Sequence, residues 1–257
     1  LARADGGEPE LGPWSEISYD DAATTPDVAY LRADDVYLAV YSALQPSGFY
    51  HVYASSIDAS TGALTSLLID SGFSSIPNEP RVAAFASAGR FAITFLRNDH
   101  LFVRTYAPSS GLVTPAIQLS TGSAIKEPSS PSIAGRSLEA EFGSGYGLVT
   151  WERRDIITND SEVVAHSIRV LPTDAAPLIP DERFVIGPGR VPVCSSGSGS
   201  AGRFVVAFER NFKLLATTFT LDTLGDLRDT GLYGGLIGVI VLFGFLHRWR
   251  TTLTAAI

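Results

Sequence analysis

The feature that most constrains this chain is an internal repeat. Four segments open with a proline and a short apolar run: Pro26-Asp27-Val28-Ala29, Pro80-Arg81-Val82-Ala83, Pro131-Ser132-Ile133-Ala134 and, more loosely, Pro192-Val193-Cys194. The starts lie 54, 51 and 61 residues apart. Each is followed by an apolar stretch that ends in an aromatic residue: 35–41 at Tyr41, 89–95 at Phe95, 145–151 at Trp151 and 202–208 at Phe208. Nearly continuous runs of β-branched and aromatic side chains suit strands covered on both faces. A third strand is expected in each repeat at 50–58, 101–107, 163–170 and 214–222. Turn residues follow, clearest at Ser60-Thr61-Gly62 and Ser109-Ser110-Gly111, and lead to short outer strands at 66–70, 116–120 and 183–186.

Four strands per repeat is the arithmetic of a propeller blade. The expected fold is therefore all-β and propeller-like, with 24 glycines and 15 prolines supplying the turns. The fourth repeat runs on without an outer strand, while Pro13-Trp14-Ser15-Glu16-Ile17-Ser18 resembles Pro115-Ala116-Ile117-Gln118-Leu119-Ser120. We therefore expect residues 13–18 to close the ring beside 214–222, which would remove an open sheet edge. The expected layout is an extension at 1–11, a domain at 12–229 with repeats near 26–76, 77–125, 126–188 and 189–227, a membrane helix at 230–249 and a tail at 250–257.

The pattern of proline, apolar strand and Gly-Arg-Phe-x-Val-x-Phe, as in Gly202-Arg203-Phe204-Val205-Val206-Ala207-Phe208, resembles the degenerate propeller repeats of bacterial and protist cell-surface proteins. That resemblance covers residues 12 to about 226 and implies architecture only, because propellers serve many unrelated functions. A curved open array, or a larger ring completed by another chain, is an alternative to a closed ring of four blades.

From Gly231 to Leu246 the chain carries no charge. With its flanks the segment would span roughly 27–30 Å as a helix, enough for a hydrocarbon core. Tyr233 and Trp249 sit near its two ends, where amphipathic rings prefer to lie. Asp222, Asp226 and Asp229 precede the segment and Arg248 and Arg250 follow it. The positive-inside rule then puts the C-terminus in the cytoplasm and the domain on the periplasmic, extracellular or lumenal side. Gly231, Gly234, Gly235 and Gly238 have the small-xxx-small spacing of a helix-packing face. The competing reading is a buried core segment of a soluble domain. The chain holds no Met, which fits removal of a leader peptide.

The formal charge is −8 and no run of Lys and Arg offsets it, so nucleic acid is not an expected partner. A single cysteine, Cys194, excludes an intrachain disulfide framework and a multi-cysteine zinc site. His51, His100 and His166 lie in or beside third strands and show no metal-ligand spacing. Gly197 to Gly202 matches a dinucleotide glycine pattern, but it precedes a strand instead of opening a helix. No cofactor is implied, and no catalytic group stands out.

The segment from Glu152 to Glu162 reads as a protruding charged loop. It makes Arg153, Arg154, Asp155, Asn159 and Asp160 the candidate partner contacts. Asn159-Asp160-Ser161 is also a glycosylation sequon. Together these features lead to the expectation of a non-enzymatic, membrane-anchored scaffold, an accessory subunit whose partners are other membrane-protein subunits. Two alternatives stand beside it: an enzyme or ligand-binding propeller with its site in the central channel, and a surface adhesin.

Overall fold

The computed structural model describes residues 16–18, 23–120, 126–137, 144–175, 178–196 and 203–220. The segment 230–249 with its glycines and interface anchors, the glycine-rich loop 197–202 and residues 13–15 lie outside them. Among the described residues no helix is long and apolar enough to cross a membrane.

The fold is all-β, with four antiparallel sheets arranged as consecutive blades. Blade 1 comprises β1 (Ala23–Leu31), β2 (Val36–Leu44), β3 (Tyr50–Asp58) and β4 (Leu64–Ser74). Blade 2 comprises β5 (Arg81–Phe85), β6 (Arg90–Arg97) and β7 (His100–Ala107), flanked by the two-residue strands β8 (Leu112–Val113) and β9 (Ile117–Gln118). Blade 3 is built from β10 (Lys126–Ser137), β11 (Gly145–Asp155), β12 (Ser161–Val170) and β13 (Leu178–Pro188). Blade 4 has three described strands, β14 (Arg190–Ser196), β15 (Arg203–Arg210) and β16 (Lys213–Thr220).

The first strands β1, β5, β10 and β14 line the inner side, each packed on the next. Apolar faces of neighbouring blades meet in three clusters. Leu38, Val40, Phe91 and Phe95 join blades 1 and 2. Phe85, Val149, Trp151 and Ile168 join blades 2 and 3, and Leu148, Phe204, Val206 and Phe208 join blades 3 and 4. This explains the unbroken apolar character of β2, β6 and β11: both faces of each are covered.

Every blade begins the same way. The residue before each repeat proline has a left-handed backbone: Thr25 at φ 50, Glu79 at 44, Ser130 at 49 and Val191 at 46. In β1, β10 and β14 the sheet register slips at this point. The slip turns the following side chain sideways, where it accepts an amide of the next blade. Asp27 Oδ2 accepts the Val82 N–H at 2.9 Å, and Ser132 Oγ accepts the Cys194 N–H at 3.1 Å. Glu79 Oε2 and Glu152 Oε2 take the N–H groups of Ser130 and Val191, at 3.0 and 3.2 Å.

The two ends of this series are finished differently. Val28 N–H, which has no preceding blade among the described residues, is accepted by Asp27 Oδ1 of its own strand at 3.0 Å. At the other end the position of Asp27 and Ser132 is taken by Val193, which has no side-chain acceptor. Val28 and Val193 are 60% and 59% exposed, and β14 does not pack on β1 as neighbouring inner strands do. The described residues therefore form an open arc of four blades. The expected closing strand is corrected here: Ile17 C=O accepts Ser55 Oγ of β3 at 2.6 Å, and the described partner of β16 is β15 alone. The physical reason lies on the outer face of blade 1. There Ala39, Tyr41 and Ala43 alternate with the residues that face blade 2 and need cover of their own.

Candidate ligand cleft

The segment expected to protrude is shorter than its charge pattern suggests, because β11 runs to Asp155 and β12 starts at Ser161. Arg153 pairs across the hairpin with Glu162, Nε to Oε1 at 2.7 Å. Arg154 Nη2 meets Glu127 Oε2 of β10 at 3.2 Å on the surface. Asp155 organises the turn: its Oδ1 accepts the N–H groups of Ile157 and Thr158 at 2.9 and 3.1 Å. Its backbone C=O accepts Asn159 N–H at 2.8 Å. Three of the five candidate contacts thus hold the hairpin, and Asn159 and Asp160 are left at its tip. The tip is fastened to blade 4 through the buried Glu152, which accepts both Ser161 Oγ at 2.6 Å and the Val191 N–H.

The neighbouring tip is the turn between β15 and β16. Asn211 and Phe212 form a two-residue connection with φ of 52 and 60, the type I′ geometry that matches strand twist. Asn tolerates this conformation, whereas a Phe there costs about 1–2 kcal/mol. Phe212 is also 99% exposed. Between the two tips, and reaching inward to Arg190 at the start of β14, lies an open cleft of about 410 Å³. Asp160 and Glu209 bring two carboxylates to it, Arg190 and Arg210 two guanidiniums, and Phe212 the one aromatic ring. A second cleft of about 410 Å³ lies beside the same hairpin and shares Asp160, Ser161 and Pro188 with the first.

Sequence reasoning reached Asn159 and Asp160 but missed Arg190, Glu209, Arg210 and Phe212. A signal for the last was available, since a bulky apolar residue stands where a short strand-to-strand turn calls for Gly or Asn.

The remaining candidates do not assemble. Among the described residues no group of three or more His, Cys, Asp or Glu could hold a metal ion. Burial pushes the Cys194 thiol up from its ordinary value, and the sulfur sits 3.4 Å from Leu148 C=O. His166 lies in the middle of blade 3, where burial, with Arg183 adding to it, lowers its pKa from the ordinary 6.5 and Asp181 pulls the other way. A histidine held below its unfolded value is protonated more readily in the unfolded chain, so stability falls as pH drops below about 6.5. His166→Gln is expected to flatten that part of the curve, read as the urea midpoint from pH 7 to 5. An unchanged slope would show that His166 does not contribute.

No family model and no curated protein matches the sequence. Solved structures do. A leech intramolecular trans-sialidase is similar at TM-score 0.50 and 8% identity, covering 76% of this chain and 31% of that one. A Hadza microbial sialidase gives 0.48 and 10%, covering 77% and 44%. The catalytic domain of a Coprinopsis cinerea GH62 α-L-arabinofuranosidase gives 0.42 and 13%, covering 82% and 68%. The chain thus spans less than half the length of the two sialidases. At these identities the likeness establishes a propeller-like fold. The expectation of a non-enzymatic accessory subunit is corrected to this extent: the leech structure of like fold is that of a trans-sialidase, a finding on the side of the enzyme alternative.

Proposed function

We propose that the chain is the sugar-binding part of a carbohydrate-active propeller, with the glycan held in the cleft between blades 3 and 4. One observation carries this reading: Phe212, fully exposed in a strained turn, stands over a cleft that also receives Asp160, Glu209, Arg190 and Arg210. A sugar ring presents an apolar C–H face and a rim of hydroxyls. An aromatic ring beside carboxylate, guanidinium and amide groups answers both. Left-handed backbone at a bulky residue persists where function compensates the strain. Glycoside hydrolysis needs two carboxylates, one to protonate the leaving oxygen and one to act as base or nucleophile, and Asp160 and Glu209 are assigned that pair of roles.

The test is turnover of a panel of aryl glycosides, with glycan binding measured in parallel. Glu209→Gln and Asp160→Asn are expected to lower kcat by a hundredfold or more with binding retained. Phe212→Ala is expected to raise KM about tenfold and leave kcat nearly unchanged. Full turnover in both carboxylate variants would remove the assignment. A chain that neither binds nor cleaves any glycan would overturn the reading.

We also propose that residues 230–249 tether this domain to a membrane, with the C-terminus cytoplasmic. The uncharged run and the Asp-before, Arg-after asymmetry support it. Release of the chain by alkaline carbonate would refute the tether.

A further inference from the structure

The two clefts beside the β11–β12 hairpin lie on opposite faces of blade 3. Trp151 and Val164 pack toward blade 2, and Val163 packs toward blade 4. Side chains alternate along a strand, so Arg153 and Glu162 share the face of Trp151 and Val164. Val185 of β13 is paired with Val164 and joins the same face. The cleft lined by Arg153, Thr158, Glu162 and Val185 is therefore on the far side of the blade from the one that Phe212 overlooks.

The end of β13 joins the two. Val163 pairs with Gly187 but Val164 with Val185, which leaves Ile186 as an extra residue in β13. A bulge of this kind bends its strand. Gly187 follows at φ 150, a backbone that side chains disfavour, and open space surrounds the place where its Cβ would stand. Glycine thus permits the bend and keeps the rim low. Asp160, Ser161 and Pro188 line both clefts, so the two spaces meet over these three residues.

We infer that the ligand is an oligosaccharide chain and not a single sugar, running from the Phe212 cleft over Asp160 and Pro188 into the cleft on the blade 2 face. This rests on the glycan reading above and adds the class of glycan to it. Each space, about 410 Å³, is near the lower end of the roughly 300–1,000 Å³ typical of small-molecule sites, and together they suit a longer ligand. The far cleft has the chemistry to hold it. Val185 is 49% exposed and, with Pro188, offers an apolar floor to the C–H face of a sugar. Arg153 gives Nε and Nη2 to Glu162 Oε1, at 2.7 and 2.6 Å, and a guanidinium has further N–H donors for hydroxyls. That ion pair holds the fork in place, so little side-chain ordering is left to binding. Thr158 Oγ1 accepts the Asp160 N–H at 3.3 Å and keeps its own hydrogen to donate.

A length series tests the path. Calorimetric titrations use cello-, xylo- and malto-oligosaccharides of two to six units, in the Glu209→Gln background so that the sugars stay intact. In at least one series, affinity is expected to rise tenfold or more from the dimer to the pentamer. Val185→Arg places a long charged side chain in the far cleft. It is expected to remove that gain while dimer binding and the urea midpoint stay unchanged. Equal affinity at every length would overturn the inference, as would a gain that Val185→Arg leaves intact. Turnover of aryl glycosides without binding of any series would also overturn it, yet leave the Phe212 cleft reading standing. Neither turnover nor binding of any sugar would remove both. Should Val185→Arg fail to fold, Val185→Ser is expected to cut the gain about threefold, and no change would count against the far cleft.

Discussion

Phe85→Ala is expected to lower stability by about 4 kcal/mol, read as a shift of the denaturation midpoint at constant slope. Phe85 ends β5, is fully buried, and points across the boundary between blades 2 and 3. Its ring lies against backbone where the sequence supplies glycines. A Cβ on Gly145 would stand 2.6 Å from Phe85 Cδ1, and one on Gly147 2.7 Å from Phe85 Cζ. Gly135 closes the slot, since a Cβ there would meet Ala84 C=O at 2.6 Å. Truncating the ring leaves a cavity walled by strands that cannot collapse, because each is fixed in its own sheet. The converse substitution is diagnostic: Gly147→Ala is expected to cost about 1–3 kcal/mol by overpacking. Phe85→Leu in the same chain should recover part of that loss. If Gly147→Ala proves neutral, the slot is looser than its contacts indicate.

Asp70→Asn is the second large effect, expected at about 3 kcal/mol. Asp70 sits on β4 with 3% of its side chain exposed, and it faces two arginines of blade 2. Its Oδ1 lies 2.9 Å from Arg97 Nη1 and 3.5 Å from Arg104 Nη2, and its Oδ2 accepts Gly72 N–H at 3.0 Å. Arg97 is further committed, with its guanidinium 4.1 Å from the Phe102 ring centroid, and Arg104 also donates to Ile69 C=O. Removing the one carboxylate leaves two partly buried cations side by side. Both arginines retain some exposure, so water screens part of the repulsion and the estimate stays at the lower end of the range for breaking a buried pair. Urea is the denaturant to use, because guanidinium salt would mask the effect. Pairing Asp70→Asn with Arg104→Met should restore about half of the loss. A double variant no better than the single would place the cost in the lost Gly72 bond instead.

The repeat was legible because its signals are local. A proline fixes φ, alternating or continuous apolar runs set a strand and its covered faces, and a glycine supplies a left-handed turn. The third strand of blade 1 was expected at 50–58 and lies at Tyr50–Asp58. Less was legible where partners are far apart in sequence. Arg153 and Arg154 read as solvent-facing charges, yet each finds an acid across a strand, Glu162 and Glu127. The cleft was hidden for the same reason: Asp160 and Phe212 are far apart along the chain, and only the packing of blade 3 on blade 4 sets them around one space.

By itself, the order of residues determined that this chain forms short antiparallel strands in four similar groups, because backbone preference and side-chain alternation act within a few residues. Tertiary packing alone decided that the described blades form an open arc and that the N-terminal segment contacts blade 1. It also chose which of many surface charges share a cleft. Those outcomes depend on which apolar face finds cover and which amide finds an acceptor on another blade, and such matches are made across distances that no local pattern encodes.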